Sequence, residues 1–209
     1  MAFFKKINFT SNTDIYIWKI TENFDFLFKN VVLKPSSLDR VSGMKSESHK
    51  KGFLAVRMLL QHCGYTDHDL RYDEVGKPSL LDGKKISITH SFDFSVIAIS
   101  EEEIGIDIEL RRDKVLRIAN KFSNESFLND LENPDKIRTL TVLWGAKESI
   151  FKIMNELGIS FLDHIMVSPF KIQDQKAQAV LNFNNQKMDF DIFYKEIENY
   201  TLVYANRKQ

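Results

Sequence analysis

The run Ile104-Gly105-Ile106-Asp107-Ile108-Glu109-Leu110 constrains this chain more than any other stretch. Side chains alternate across a strand, so Ile104, Ile106, Ile108 and Leu110 take one face while Gly105, Asp107 and Glu109 take the other. Two carboxylates therefore stand side by side on one face of an apolar strand. Downstream, Trp144-Gly-Ala-Lys-Glu-Ser-Ile-Phe-Lys152 reads as helix, and helical spacing puts Trp144, Glu148 and Lys152 in one stripe. A strand and helix of this kind, once packed together, assemble three carboxylates and a cation, an oxygen-donor set of the type Mg²⁺ prefers.

The chain has the means to bury such a pairing. Its 209 residues are 43% apolar and include 17 Phe, enough for one large domain or two smaller ones. Lys plus Arg and Asp plus Glu both number 29, so no bulk field favours nucleic acid or an anionic membrane, and anion binding must come from local clusters. The single cysteine, Cys63, excludes an internal disulfide framework and fits a reducing compartment; ending an apolar helical stripe, it reads as a core residue. The start Met-Ala-Phe-Phe-Lys-Lys has no long apolar segment, and no apolar run approaches the roughly 20 residues that span a bilayer. The expectation is a soluble cytoplasmic protein.

Periodicity divides the rest. Ile7 to Ile20 alternates around Asn12-Thr13-Asp14 and predicts a hairpin. Phe53, Val56, Leu60 and Cys63 keep helical spacing from Ser46 onward, with Gly64 placed to end the helix. Lys50 and Arg57 share a face of that helix, with Lys51 beside them. Gly76-Lys77-Pro78 predicts a turn that restricts Lys77. Ile86–Ser91, Ser95–Ser100 and the carboxylate strand read as a three-stranded antiparallel meander, with Thr89, His90 and Ser91 at a hairpin mouth. Val115 to Phe122 predicts a short helix and Asp135 to Leu157 a long one, stopped by Gly158; Lys147 intrudes on its apolar row Leu140, Leu143, Ile150 and Met154. Ala179–Phe183, Met188–Tyr194 and Tyr200–Tyr204 form a further meander. The fold expected is α+β, with two similar lobes, each an antiparallel sheet with packed helices. The boundary falls near Glu101 to Lys114, giving residues 1–105 and 106–209, with the site between the lobes.

Three carboxylates ringed by Lys50, Lys51, Arg57, Lys77, His90, Lys147 and Lys152 suit a phosphate-rich substrate, because Mg²⁺ binds a diphosphate while cations take peripheral phosphates. The ordered series Gly76-Lys77-Pro78, Ile86-Ser-Ile-Thr-His-Ser91, Ile104-Gly-Ile-Asp-Ile-Glu109 and Trp144–Lys152 resembles the 4′-phosphopantetheinyl transferase superfamily. The likeness is to its two-lobed monomeric surfactin-synthetase-activator type, over about Ser46 to Met154. The resemblance implies transfer of the phosphopantetheine arm of coenzyme A to a serine of an apo acyl or peptidyl carrier protein, releasing adenosine 3′,5′-bisphosphate. It implies Asp107, Glu109 and Glu148 as Mg²⁺ ligands, Glu148 also as the base toward the carrier serine, and Lys152 as the cation at the departing phosphate. It implies Lys77, Pro78, Thr89, His90, Ser91 and Lys147 around the coenzyme A phosphates and adenine, with Lys51 or Arg57 at the 3′-phosphate. A noncatalytic carrier-binding module and a Mg²⁺-dependent phosphodiesterase are the alternatives.

Overall fold

The computed structural model describes residues 3–124 and 126–208, leaving Met1 and Ala2 of the N-terminal stretch outside the described residues. The chain is α+β and divides between Glu102 and Glu103 into two units, each with its own antiparallel sheet.

In the first unit, alternation builds the expected hairpin, β1 (Phe3–Thr10) and β2 (Thr13–Lys19), which turns at Ser11-Asn12. Two helices follow that periodicity did not reveal. Asn23 starts α1 (Phe24–Lys29) by accepting the Phe26 N–H at 2.9 Å, and Pro35 occupies the first turn of α2 (Pro35–Gly43), where its missing N–H costs nothing. Ser46 caps α3 (Glu47–His62), and Gly64 follows its end at φ +84°. The hairpin β3 (Leu70–Tyr72) and β4 (Pro78–Leu80) is closed by Asp73, whose Oδ1 accepts the N–H groups of Val75 and Lys77. β5 (Lys85–Ser91) and β6 (Phe94–Ser100) complete a six-stranded sheet in the order β1-β2-β6-β5-β4-β3. Phe53, Val56, Leu59 and Leu60 of α3 share a core with Trp18, Ile86, Ile97 and Ile99.

The second unit opens on the carboxylate strand, β7 (Ile104–Leu110). The meander expected with β5 and β6 does not form: β6 lies between β2 and β5, and β7 pairs instead with β11 (Tyr200–Arg207). Asp107 stands opposite Val203 and Glu109 opposite Thr201. Between these strands run α4 (Lys114–Ile118), a 3-10 turn at Ala119–Lys121, α5 (Asn133–Met154), β8 (Ile165–Val167), β9 (Lys176–Phe183) and β10 (Gln186–Ile197). The sheet order is β7-β11-β10-β9-β8. Asn184 and Asn185, both at positive φ, make the tight β9–β10 turn. Asn155, left-handed at φ +48°, ends α5 one turn before Gly158. Among the described residues no helix is long and apolar enough to cross a membrane.

Candidate active site

The seam where α5 lies on β7 and β11 depends on two glycines. A Cβ on Gly105 would stand 1.8 Å from the Ser149 carbonyl oxygen, and one on Gly145 would stand 2.6 Å from the Val203 side chain. Glycine ordinarily weakens a helix interior, but at position 145 it is what lets helix and sheet approach. Ser149 Oγ adds a 3.3 Å hydrogen bond to the Val203 carbonyl. Backbone contact this close brings the polar face of β7 against the Trp144, Glu148 and Lys152 stripe of α5.

Asp107 is buried, and its Oδ1 accepts from Lys152 Nζ at 2.8 Å; the same ammonium donates to the Ile106 carbonyl at 2.8 Å. Burial, and then the charge of Asp107, push the Glu109 carboxyl up to about 7, against the lowering effects of a Trp144 hydrogen bond and Lys152. Glu148 moves in the same direction for the same two leading reasons, offset by Lys152. Each of these carboxylates responds electrostatically to Asp107, so the three share one poorly solvated place. Their side chains are not drawn together as a formed cage: among the described residues no group of three His, Cys, Asp or Glu could hold a metal ion as it stands. Beside Glu109 and Trp144 lies a cavity of about 160 Å³ with Val115, Ile118, Arg112 and Lys114 among its lining residues.

Two cations expected at substrate phosphates are buried and bonded to protein groups. Lys147 is 1% exposed, and its Nζ donates to the Phe122 carbonyl at 2.5 Å and the Phe161 carbonyl at 3.0 Å, pinning two loops to α5. Arg57 is 3% exposed; its Nε donates to Asp67 Oδ1 at 3.0 Å, Nη1 donates to the Phe53 carbonyl, and the guanidinium lies 3.5 Å from the Phe53 ring centroid. The physical reason is the same in both: each lies on its helix's buried side, where backbone carbonyls or a buried carboxylate replace water. Lys147 interrupting an apolar row was the signal that its position is internal. Arg57 also lines a basic cavity of about 490 Å³ with Lys34, Arg40 and Arg71, cations that belong to no sequence motif and lie just ahead of α2, on α2 and on β3.

Elsewhere in the first unit, Lys50 lies over the Phe24 ring while Lys51 is half-buried in the first turns of α3. Lys77 is held by the Asp73 turn, with Pro78 beginning β4 opposite Tyr72. Strand alternation turns His90 to the face of Ile86 and Ile88, against α3, and turns Thr89 and Ser91 to the opposite face, so the three do not form one polar mouth.

The α5–β7 seam thus sets three carboxylates and a lysine where a helix crosses an antiparallel sheet. The model of the family described as the 4′-phosphopantetheinyl transferase superfamily matches residues 103–205, from the start of β7 into β11. Over this second unit the chain is similar to that superfamily, and the protein is a transferase. It is 29% identical over 182 residues to the 4′-phosphopantetheinyl transferase gsp of Aneurinibacillus migulanus, covering 83% of this chain and 75% of that protein. It is 31% identical over 118 residues to the 4′-phosphopantetheinyl transferase Sfp of Bacillus subtilis strain 168, covering 52% of this chain and 53% of that protein. Its likeness within the superfamily is to the surfactin-activator type.

Proposed function

We propose that this protein transfers the 4′-phosphopantetheine arm of coenzyme A to a serine hydroxyl of an apo acyl or peptidyl carrier protein, in a Mg²⁺-dependent reaction that releases adenosine 3′,5′-bisphosphate. The observation that carries this reading is the charge balance at the α5–β7 seam: three carboxylates, two of them pushed up by burial and then by the charge of the third, against the ammonium of Lys152. That donor set fits a hard divalent cation, with Asp107, Glu109 and Glu148 to hold it. When bound, Mg²⁺ supplies positive charge to the diphosphate of the donor.

The chain's own groups have distinct tasks. Glu148, raised by burial and by Asp107, is a stronger base than an ordinary carboxylate and accepts the proton of the carrier serine. Lys152 meets the negative charge that grows on the departing bisphosphate. Lys51, His90, Lys77 and Pro78 bind the phosphates and adenine of coenzyme A, and the basic cavity of Lys34, Arg40 and Arg71 offers additional positive charge for the 3′-phosphate. Thr89 and Ser91 support the strand end that presents His90. Arg112 and Lys114, beside Glu109, suit an acidic carrier surface.

The test is incubation with coenzyme A, Mg²⁺ and a panel of apo acyl and peptidyl carrier proteins, each followed by intact mass. A gain of one phosphopantetheine on at least one carrier, abolished by chelator, is the expected result. Cleavage of coenzyme A without a mass gain would make the protein a phosphodiesterase, and carrier binding with neither would make it a noncatalytic module.

A further inference from the structure

His90 is held in place by a residue that has no side chain. Gly52 lies inside α3, where glycine costs about 1 kcal/mol relative to alanine. A Cβ at this position would stand 2.6 Å from His90 Cδ2 and 3.1 Å from Cγ, so the imidazole occupies the place a methyl group would take. The helix backbone there is itself fixed, because the buried Ser95 Oγ donates to the Gly52 carbonyl at 3.1 Å, and Ser95 is the strand partner directly opposite His90. His49, three residues before Gly52, sets its ring edge-on to His90 with centroids 6.0 Å apart. The imidazole is thus seated on the helix surface one residue from Lys51, while His90 as a whole remains exposed.

We propose that Gly52 is a positioning residue for coenzyme A binding. The empty Cβ position lets the His90 ring dock on α3, and the Ser95 hydrogen bond sets how near the helix comes, so that His90 and Lys51 address donor phosphates together. This rests on the assignment of His90 to those phosphates made above. A methyl group at position 52 must turn the ring aside without removing any charge.

The experiment measures coenzyme A affinity by calorimetry and turnover with a carrier for Gly52→Ala, His90→Ala and the double variant, with His90 Cδ2–H followed by NMR in the first. The expected result is about a tenfold loss of affinity in Gly52→Ala, the scale of one charge-assisted contact, with maximal rate within roughly twofold and the His90 resonance displaced. Adding Gly52→Ala to His90→Ala should then cost nothing further, since the ring it displaces is gone. If His90→Ala weakens binding and Gly52→Ala does not, the positioning role is overturned while the His90 assignment stands. If His90→Ala itself leaves affinity unchanged, that assignment falls and the inference with it. Should Gly52→Ala fail to fold, Ser95→Ala asks the same question: a severalfold loss of affinity is expected on release of the helix, and an unchanged affinity overturns the proposal.

Discussion

The two acid–base pairs, the buried Arg57–Asp67 in the first unit and the half-buried Lys152–Asp107 in the second, are built from similar charges in different surroundings. Around Arg57 every demand is met. Its guanidinium has Asp67, a backbone carbonyl and an aromatic face, and Asp67 also accepts from the Lys34 N–H at 3.0 Å. Burial pushes the Asp67 carboxyl up, but hydrogen bonds from Ser37 and Lys34 and the charge of Arg57 outweigh it and hold it below its ordinary value. Around Asp107 the balance is short of positive charge, since the Lys152 side chain is 27% exposed and must serve a place that also raises Glu109 and Glu148. The first pair holds its carboxyl down; beside the second, Glu109 and Glu148 are held up.

The sharpest way to break this contrast is Asp107→Ala. Transfer should fall about 10²–10³-fold or more, the scale of losing a preorganised charge contact, while circular dichroism shows the fold retained. Undiminished transfer, or transfer in excess chelator, would remove the three-carboxylate site. Asp67→Ala should do the reverse, lowering stability by about 3–5 kcal/mol in denaturant unfolding because it strands a buried guanidinium. A loss below about 1 kcal/mol would mean Arg57 is not committed to Asp67 as the geometry has it. Lys152→Ala should lower the maximal rate about tenfold to a hundredfold with little change in half-saturation by coenzyme A, because the charge it meets develops in the transition state. An unchanged maximal rate with a raised half-saturation constant would move Lys152 to ground-state phosphate binding.

The smallest effect is in pH. Asp67 has a folded value below its ordinary 3.8, so its stabilisation is present above 3.8 and lost as pH falls through the folded value. Glu109 runs the other way: its folded value of about 7 lies above 4.5, so the folded state holds the extra proton between them and stability declines as pH rises through that window. In Mg²⁺-free buffer, thermal melts of Glu109→Gln should lack part of that decline between pH 4.5 and 7. An identical slope in the variant would refute the shared environment of the carboxylates.

What was legible in the sequence was whatever a short period can carry. The α3 and α5 stripes, the N-terminal hairpin and the neighbouring placement of Asp107 and Glu109 all follow from spacing within a few residues. The partner of β7 did not, because the ladder to β11 joins residues from opposite ends of the second unit, and local alternation is silent about which strand comes alongside. α1 and α2 escaped because they are short and rest on caps and a proline rather than on a long stripe. For Arg57 and Lys147 residue type states charge, whereas their contacts with Asp67 and with two loop carbonyls are ones that only the fold supplies.

The glycine seam between α5 and β7 has a consequence for how this sequence can vary. Neither Gly105 nor Gly145 has a side-chain atom with which to touch a substrate, yet a single added methyl group at either meets backbone oxygen or a neighbouring valine. In a library of random substitutions scored by activity, both positions should tolerate as little as the carboxylates do, and alanine, ordinarily the mildest replacement, should score among the failures at Gly105. Variation that reaches these positions must arrive with a compensating change across the seam. At Gly145 a smaller residue in place of Val203 could provide it, but at Gly105 the obstacle is main chain, which no substitution at Ser149 can trim away.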